Sequence, residues 1–132
     1  MTHKSRLGCM VIDCKGEDLA SALAFWSAAL GLDGEIDKDG KYAVLKTTGD
    51  DIHVLLQAVD HDSRVHLDIE TDDKAVEIRR LESLGAKSVA RMDRWTVMQA
   101  PTGHRFCVVD PQRSGFAQGA TEWTAARTGG GR

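Results

Sequence analysis

The chain has 132 residues, 42% of them hydrophobic and 28% charged, with a formal net charge of −3. This is the balance of an ordinary globular chain, long enough for one real core and too short for two independent ones. It offers no basic field for nucleic acid and no apolar run of membrane-spanning length, and residues 1–6 lack the apolar stretch of a signal peptide. Three cysteines without framework spacing suit a reducing compartment, so a cytoplasmic protein is expected.

Residues 7–14 read as a strand, with Leu7, Cys9 and Val11 expected on a helix-covered face and Gly8, Met10 and Ile12 on the other. Cys9 and Cys14 fall on opposite faces and should not bridge. Residues 17–30 form an amphipathic helix with Leu19, Ala22, Leu23, Trp26 and Leu30 on its apolar side. Glu17 and Asp18 suit its positive end, and Gly31 is placed to cap it. Three short strands follow, at about 34–38, 42–47 and 52–59, separated by Asp39-Gly40 and by Thr48-Gly49-Asp50-Asp51. In the third, His53, Leu55 and Gln57 alternate with Ile52, Val54 and Leu56.

After the polar loop 60–63, the stretch Arg64-Val65-His66-Leu67-Asp68-Ile69-Glu70 alternates strictly, with His66, Asp68 and Glu70 on its polar face. Thr71 is a plausible N-cap for a helix over about 72–84 that ends at Gly85. Strands are expected near 88–90, 95–99 and 105–109, with Pro101-Thr102-Gly103 as a turn. The pattern is one unit written twice. Tyr42-Ala43-Val44-Leu45 matches Trp95-Thr96-Val97-Met98, Ala28-Ala29-Leu30-Gly31 matches Glu82-Ser83-Leu84-Gly85, and Arg6-Leu7-Gly8 lines up with Arg64-Val65-His66. The expected division is a domain over 1–110, with unit one at about 6–59 and unit two at about 64–110, followed by a Gly- and Ala-rich tail over 111–132.

These two βαβββ units, the helix Ala24-Phe25-Trp26-Ser27-Ala28-Ala29-Leu30-Gly31, the strand His66-Leu67-Asp68 and the ending Pro101-Thr102-Gly103-His104-Arg105-Phe106-Cys107-Val108-Val109 resemble the vicinal oxygen chelate superfamily. That superfamily includes glyoxalase I, bleomycin-resistance proteins and extradiol dioxygenases, and the chain is most similar to its short bacterial glyoxalase-like domains. The resemblance implies an α+β fold whose mixed sheets form an open cup or half-barrel with the helices outside. It also implies a homodimer and a small-molecule ligand. In such proteins a divalent metal in the cup acts as Lewis acid on vicinal oxygens, held by ligands from the first and last strands of each unit. Here the first-strand positions fall on Gly8 and His66, and the last-strand positions on Gln57 and Cys107. Only His66 is a standard ligand, so no metal cofactor of the usual kind is expected.

The expected ligand-binding set is Met10, His53, Leu55, Gln57, His66, Asp68, Trp95, Arg105 and Cys107, with His66 as the candidate acid–base residue. Glu70, nearer the strand end, is expected to be exposed. Trp95 and Tyr42 hold equivalent repeat positions from which a ring could stack on a planar ligand, although core packing is the commoner use. The leading reading is a metal-free binding or sequestering protein, or an acid–base enzyme. The alternative is a metal-dependent lyase, isomerase or dioxygenase using His53, His66 and Cys107, a donor set acceptable to zinc.

Overall fold

The computed structural model describes residues 2–48 and 51–124, so Gly49 and Asp50 of the expected turn, and the tail beyond residue 124, lie outside the described residues. Its elements run β1 (His3–Lys15), α1 (Leu19–Leu30), β2 (Gly34–Ile36), β3 (Tyr42–Leu45), β4 (His53–Val59), β5 (Arg64–Thr71), α2 (Lys74–Ser83), β6 (Lys87–Arg91), β7 (Thr96–Gln99), β8 (Arg105–Val109), α3 (Phe116–Gly119) and β9 (Thr121–Trp123). This is an α+β protein with the strand and helix order expected of the repeat. Its contacts form two compact units, residues 9–66, and the first eight residues with the chain from Leu67 onward.

In the 9–66 unit the strand order is β2-β3-β4-β1, with β1 parallel to β4 and the other pairs antiparallel. α1 starts at Leu19 because Asp18 is its N-cap, accepting a 3.0 Å hydrogen bond from the Ser21 amide. It ends where Gly31 turns left-handed, at φ 70°. Under it lies a core of Ile12, Leu19, Ala43, Leu45, Val54 and Leu56, with Met10, Leu23 and Trp26 packed at its edge. Fully burying side chains of this size stabilises by about 1.5–3 kcal/mol each.

This core reverses the expected facing of β1. Met10 and Ile12 pack on the α1 side, while Cys9, Val11 and Asp13 stand in register with His53, Leu55 and Gln57. Both faces of β1 are apolar in sequence, so alternation could not choose between them. The parallel register with β4, whose core face is unambiguous, makes the choice.

In the other unit the order is β5-β8-β7-β6, with β5 parallel to β8 and the remaining pairs antiparallel. Residues His3–Ser5 of β1 pair antiparallel with β9. α2 covers Ile78, Leu81, Met98 and Val108, flanked by Ile69 and Phe106. Its N-cap is Asp73, whose Oδ1 accepts from the Val76 amide at 3.1 Å, in place of the expected Thr71. Thr71 is committed elsewhere, donating its hydroxyl to the Lys4 carbonyl at 2.7 Å.

Two carboxylates are fully buried in this unit, Glu70 and Glu77. Glu70, expected to be exposed, accepts from Arg6 Nε at 2.5 Å on Oε2 and from the amides of Gln112 and Arg113 on Oε1. The Arg6 guanidinium also donates to the carbonyls of Arg113, Ser114 and Gly115. The pair thereby fixes the course of the chain after β8. Glu77 meets His3 Nε2 at 2.7 Å and two guanidinium nitrogens of Arg80 at 2.8 Å each. Burial works against its ionisation, but the hydrogen bonds from Arg80 and His3 outweigh burial and hold its carboxyl below the usual range. Arg80 in turn lies 3.8 Å from the centre of the Trp123 ring, and the Trp123 indole N–H donates to Ser5 Oγ.

Candidate functional site

The sheet face of the 9–66 unit opposite α1 carries His53, Leu55 and Gln57 of β4, with Cys9, Val11 and Asp13 beside them on β1 and Tyr42 across from Gln57 on β3. Three of the expected ligand-binding residues therefore share one face. Met10 does not join them, because it is packed against the α1 core.

Asp13 organises this face. Its side chain is 2% exposed, and its Oδ2 lies 2.9 Å from His66 Nδ1 and 3.6 Å from Arg64 Nε. A carboxylate can only accept, so Nδ1 is the donating nitrogen. Asp13 Oδ1 is buried with no hydrogen-bond partner. Burying an acceptor unmet is costly, so this atom is held in place by the surrounding fold rather than by its own bonding. The nearby Cys14 thiol is pushed above its ordinary pKa by burial and then by the Asp13 charge, which keeps it a thiol at neutral pH.

In the other unit, Asp68 on β5 is in register with Cys107 on β8, and Cys107 with Val97 on β7. Arg105 is in register with Gln99, donating from Nε to its Oε1 at 3.1 Å. Along β5, His66 and Asp68 follow each other on one side of the strand. Imidazole, carboxylate and thiolate, the donor types of His66, Asp68 and Cys107, are all acceptable to a zinc-like divalent metal.

Gly8, the position without a ligand in the first copy, has a steric explanation. A Cβ there would lie 3.0 Å from Glu70 Cγ and 3.1 Å from Glu70 Oε1. The volume that a first-strand ligand would need is filled by a carboxylate already committed to Arg6. Trp95 is also not on the polar faces just described. It lines a separate groove beside α2.

Sequence reasoning missed Asp13 and Arg64. Asp13 did carry a signal, since it is the one charged residue in the otherwise uncharged stretch 7–14, and an acid on a buried strand requires a partner. That partner, 53 positions away, was not visible.

The repeated strand, helix and strands order, together with the family match and fold likenesses that follow, places the chain in the vicinal oxygen chelate superfamily. Within it, the chain belongs to the glyoxalase-like domain family, which matches residues 9–109. Among solved structures, a hypothetical protein of Bacillus halodurans is similar at a TM-score of 0.61 and 12% identity, over 83% of this chain and 96% of that one. The Mn(II)-bound glyoxalase from Novosphingobium aromaticivorans is similar at 0.54 and 20% identity, over 83% of this chain but 42% of that one. Methylmalonyl-CoA epimerase from Streptomyces coelicolor, in complex with 2-nitronate-propionyl-CoA, is similar at 0.54 and 18% identity, over 80% and 94%. At these identities the likeness is one of fold. No curated protein matches the chain.

Proposed function

We propose that this protein binds a small, partly apolar carbonyl compound and moves a proton on it, with His66 as the base. The observation that supports this best is the 2.9 Å hydrogen bond from His66 Nδ1 to the buried Asp13. Asp13 holds the ring through Nδ1, so that Nε2 is the nitrogen that would take a proton from the carbon next to the carbonyl, and it would stabilise the imidazolium that results. In the 9–66 unit, His53, Leu55 and Gln57 present two polar side chains and one apolar one on the same strand face, groups suited to contact a small polar molecule. The similarity to methylmalonyl-CoA epimerase makes 2-substituted acyl thioesters a sensible first substrate class.

A second reading is favoured by donor chemistry: His66, Asp68 and Cys107 are side chains that would suit a divalent metal, which would polarise the substrate oxygen, and Asp13 would then hold His66 as the carboxylate partner of a metal-bound histidine. One experiment separates the two. Protein purified without a chelating tag is assayed for metal by elemental mass spectrometry, and for deuterium exchange at the carbon next to the carbonyl in a panel of acyl thioesters. The proposal expects exchange that survives chelation and is lost in His66→Ala. Near-stoichiometric metal, abolished together with exchange in both His66→Ala and Cys107→Ser, would replace it with the metal reading. Chelator-indifferent binding without exchange would leave a sequestering protein.

A further inference from the structure

The groove that holds Trp95 is built from α2 and the turn between β6 and β7, all within the unit that contains α2. The turn is closed by a 2.8 Å hydrogen bond from the Met92 amide to the Trp95 carbonyl, just after β6 breaks register between Ser88 and Ala90. Residues 91–95 and the first turns of α2 together line an open groove of about 220 Å³. Its lining combines apolar Ala75, Ile78, Met92 and Trp95 with the cations Lys74, Arg91 and Arg94 against one acid, Asp93.

Lys74 is engaged with Asp110. Among the described residues, Arg91 and Arg94 take part in no ion pair or hydrogen bond of their side chains, and both are exposed. Met92, directly between Arg91 and Asp93, is 44% exposed. A thioether and an indole left partly open beside two unneutralised guanidinium groups form a surface with one apolar and one cationic requirement. The volume is below the ~300 Å³ at which drug-sized ligands are accommodated, so it fits a body about the size of one ring. A guanidinium offers a planar fork of donors that matches carboxylate or phosphate, and it also packs well on a ring face.

We propose that this groove is a second binding site, for a small aromatic anion: a single flat ring bearing a carboxylate or phosphate. The ring lies against Trp95, Met92 and Ile78, and the acid group faces Arg91 and Arg94. The site uses no residue of the Asp13–His66 pair and stands or falls independently of the reaction proposed above.

The test is a titration of the full chain with phenyl phosphate, and separately with phenylacetate, followed by amide and indole N–H chemical shifts. Saturable shifts are expected at Ala75, Met92 and the Trp95 indole. Affinity should fall about tenfold or more in the Arg91→Gln/Arg94→Gln variant, the scale for losing charge-assisted hydrogen bonds, and should be unchanged in His66→Ala. Both arginines are exposed, so the double variant should keep the wild-type dispersion of signals. Three results would overturn the proposal: no saturable shift at millimolar ligand, equal affinity in the double variant, or shifts confined to the strands carrying Gln57 and Cys107 and abolished by His66→Ala. If only phenyl phosphate, or only phenylacetate, shows the expected pattern, the site stands and its acid group is identified.

Discussion

Two buried carboxylates each meet a basic side chain, and they differ in what is left over. Glu70 accepts from Arg6 and from two backbone amides, so both its oxygens are used. Asp13 accepts from His66 on Oδ2 and leaves Oδ1 buried without a partner. A saturated pair ties segments of the chain together, and any reacting group would have to displace bonds already made. A half-saturated pair holds an imidazole through Nδ1 and keeps one acceptor oxygen buried beside it. By this contrast Arg6–Glu70 is a structural node, and Asp13–His66 is the pair on which the proposed chemistry rests.

The contrast can be broken most forcefully at Glu70. Glu70→Ala leaves the Arg6 charge without its carboxylate and two amides without their acceptor, and should cost about 3–5 kcal/mol of stability in urea unfolding, the scale for removing one partner of a buried pair. Glu70→Gln should lose less, since it keeps an acceptor. A Glu70→Ala protein within about 1 kcal/mol of wild type would show that the node holds little.

Asp13→Asn tests the other side. It preserves shape while removing the charge that sets the His66 tautomer, so exchange activity should fall by about 10²–10⁴, the scale of general acid–base catalysis, with the fold retained by circular dichroism. Equal activity would deny Asp13 its positioning role.

Gly8→Ala comes next. Its new methyl would press on Glu70 at 3.0 Å, and a side chain held through both oxygens cannot step aside. A loss of about 1–3 kcal/mol is expected, as for overpacking, whereas an unchanged melting temperature would mean that the node yields.

Glu77 should reveal itself through pH. Its folded carboxyl lies below the ordinary range, so its stabilisation is complete above the unfolded value of about 4.3, and it is lost as pH falls from there through the lowered folded value. Glu77→Gln should flatten acid unfolding over that window. A slope identical to wild type would assign the acid sensitivity to other groups.

The smallest effect sharpens the picture of Asp13. Cys14, pushed up by burial and then by the Asp13 charge, should react with iodoacetamide more slowly than an unperturbed thiol at pH 8. Asp13→Asn should speed that reaction a few-fold if the charge matters there, and leave it alone if burial is the whole cause.

Much of this protein is local and was legible as such. The span of α1 up to its left-handed Gly31, the extent of β8, and the facing of His53, Leu55 and Gln57 each depend on caps, turns and a one-sided alternation written within a few residues. The repeat itself was readable from matched short segments, and with it the α+β class. The sequence could not reveal which face of β1 turns inward, because Cys9-Met10-Val11-Ile12 is apolar on both. The register with β4 decided that, and with it whether Asp13 could reach His66. The burial of Glu70 was hidden for a related reason. It depends on Arg6, 64 positions away, and on backbone amides past the end of β8. Local spacing sets which way a side chain points from its own strand, but whether a charge is tolerated there depends on partners brought from distant parts of the chain. That is why the elements followed from the sequence and the two carboxylate pairs emerged only with the tertiary fold.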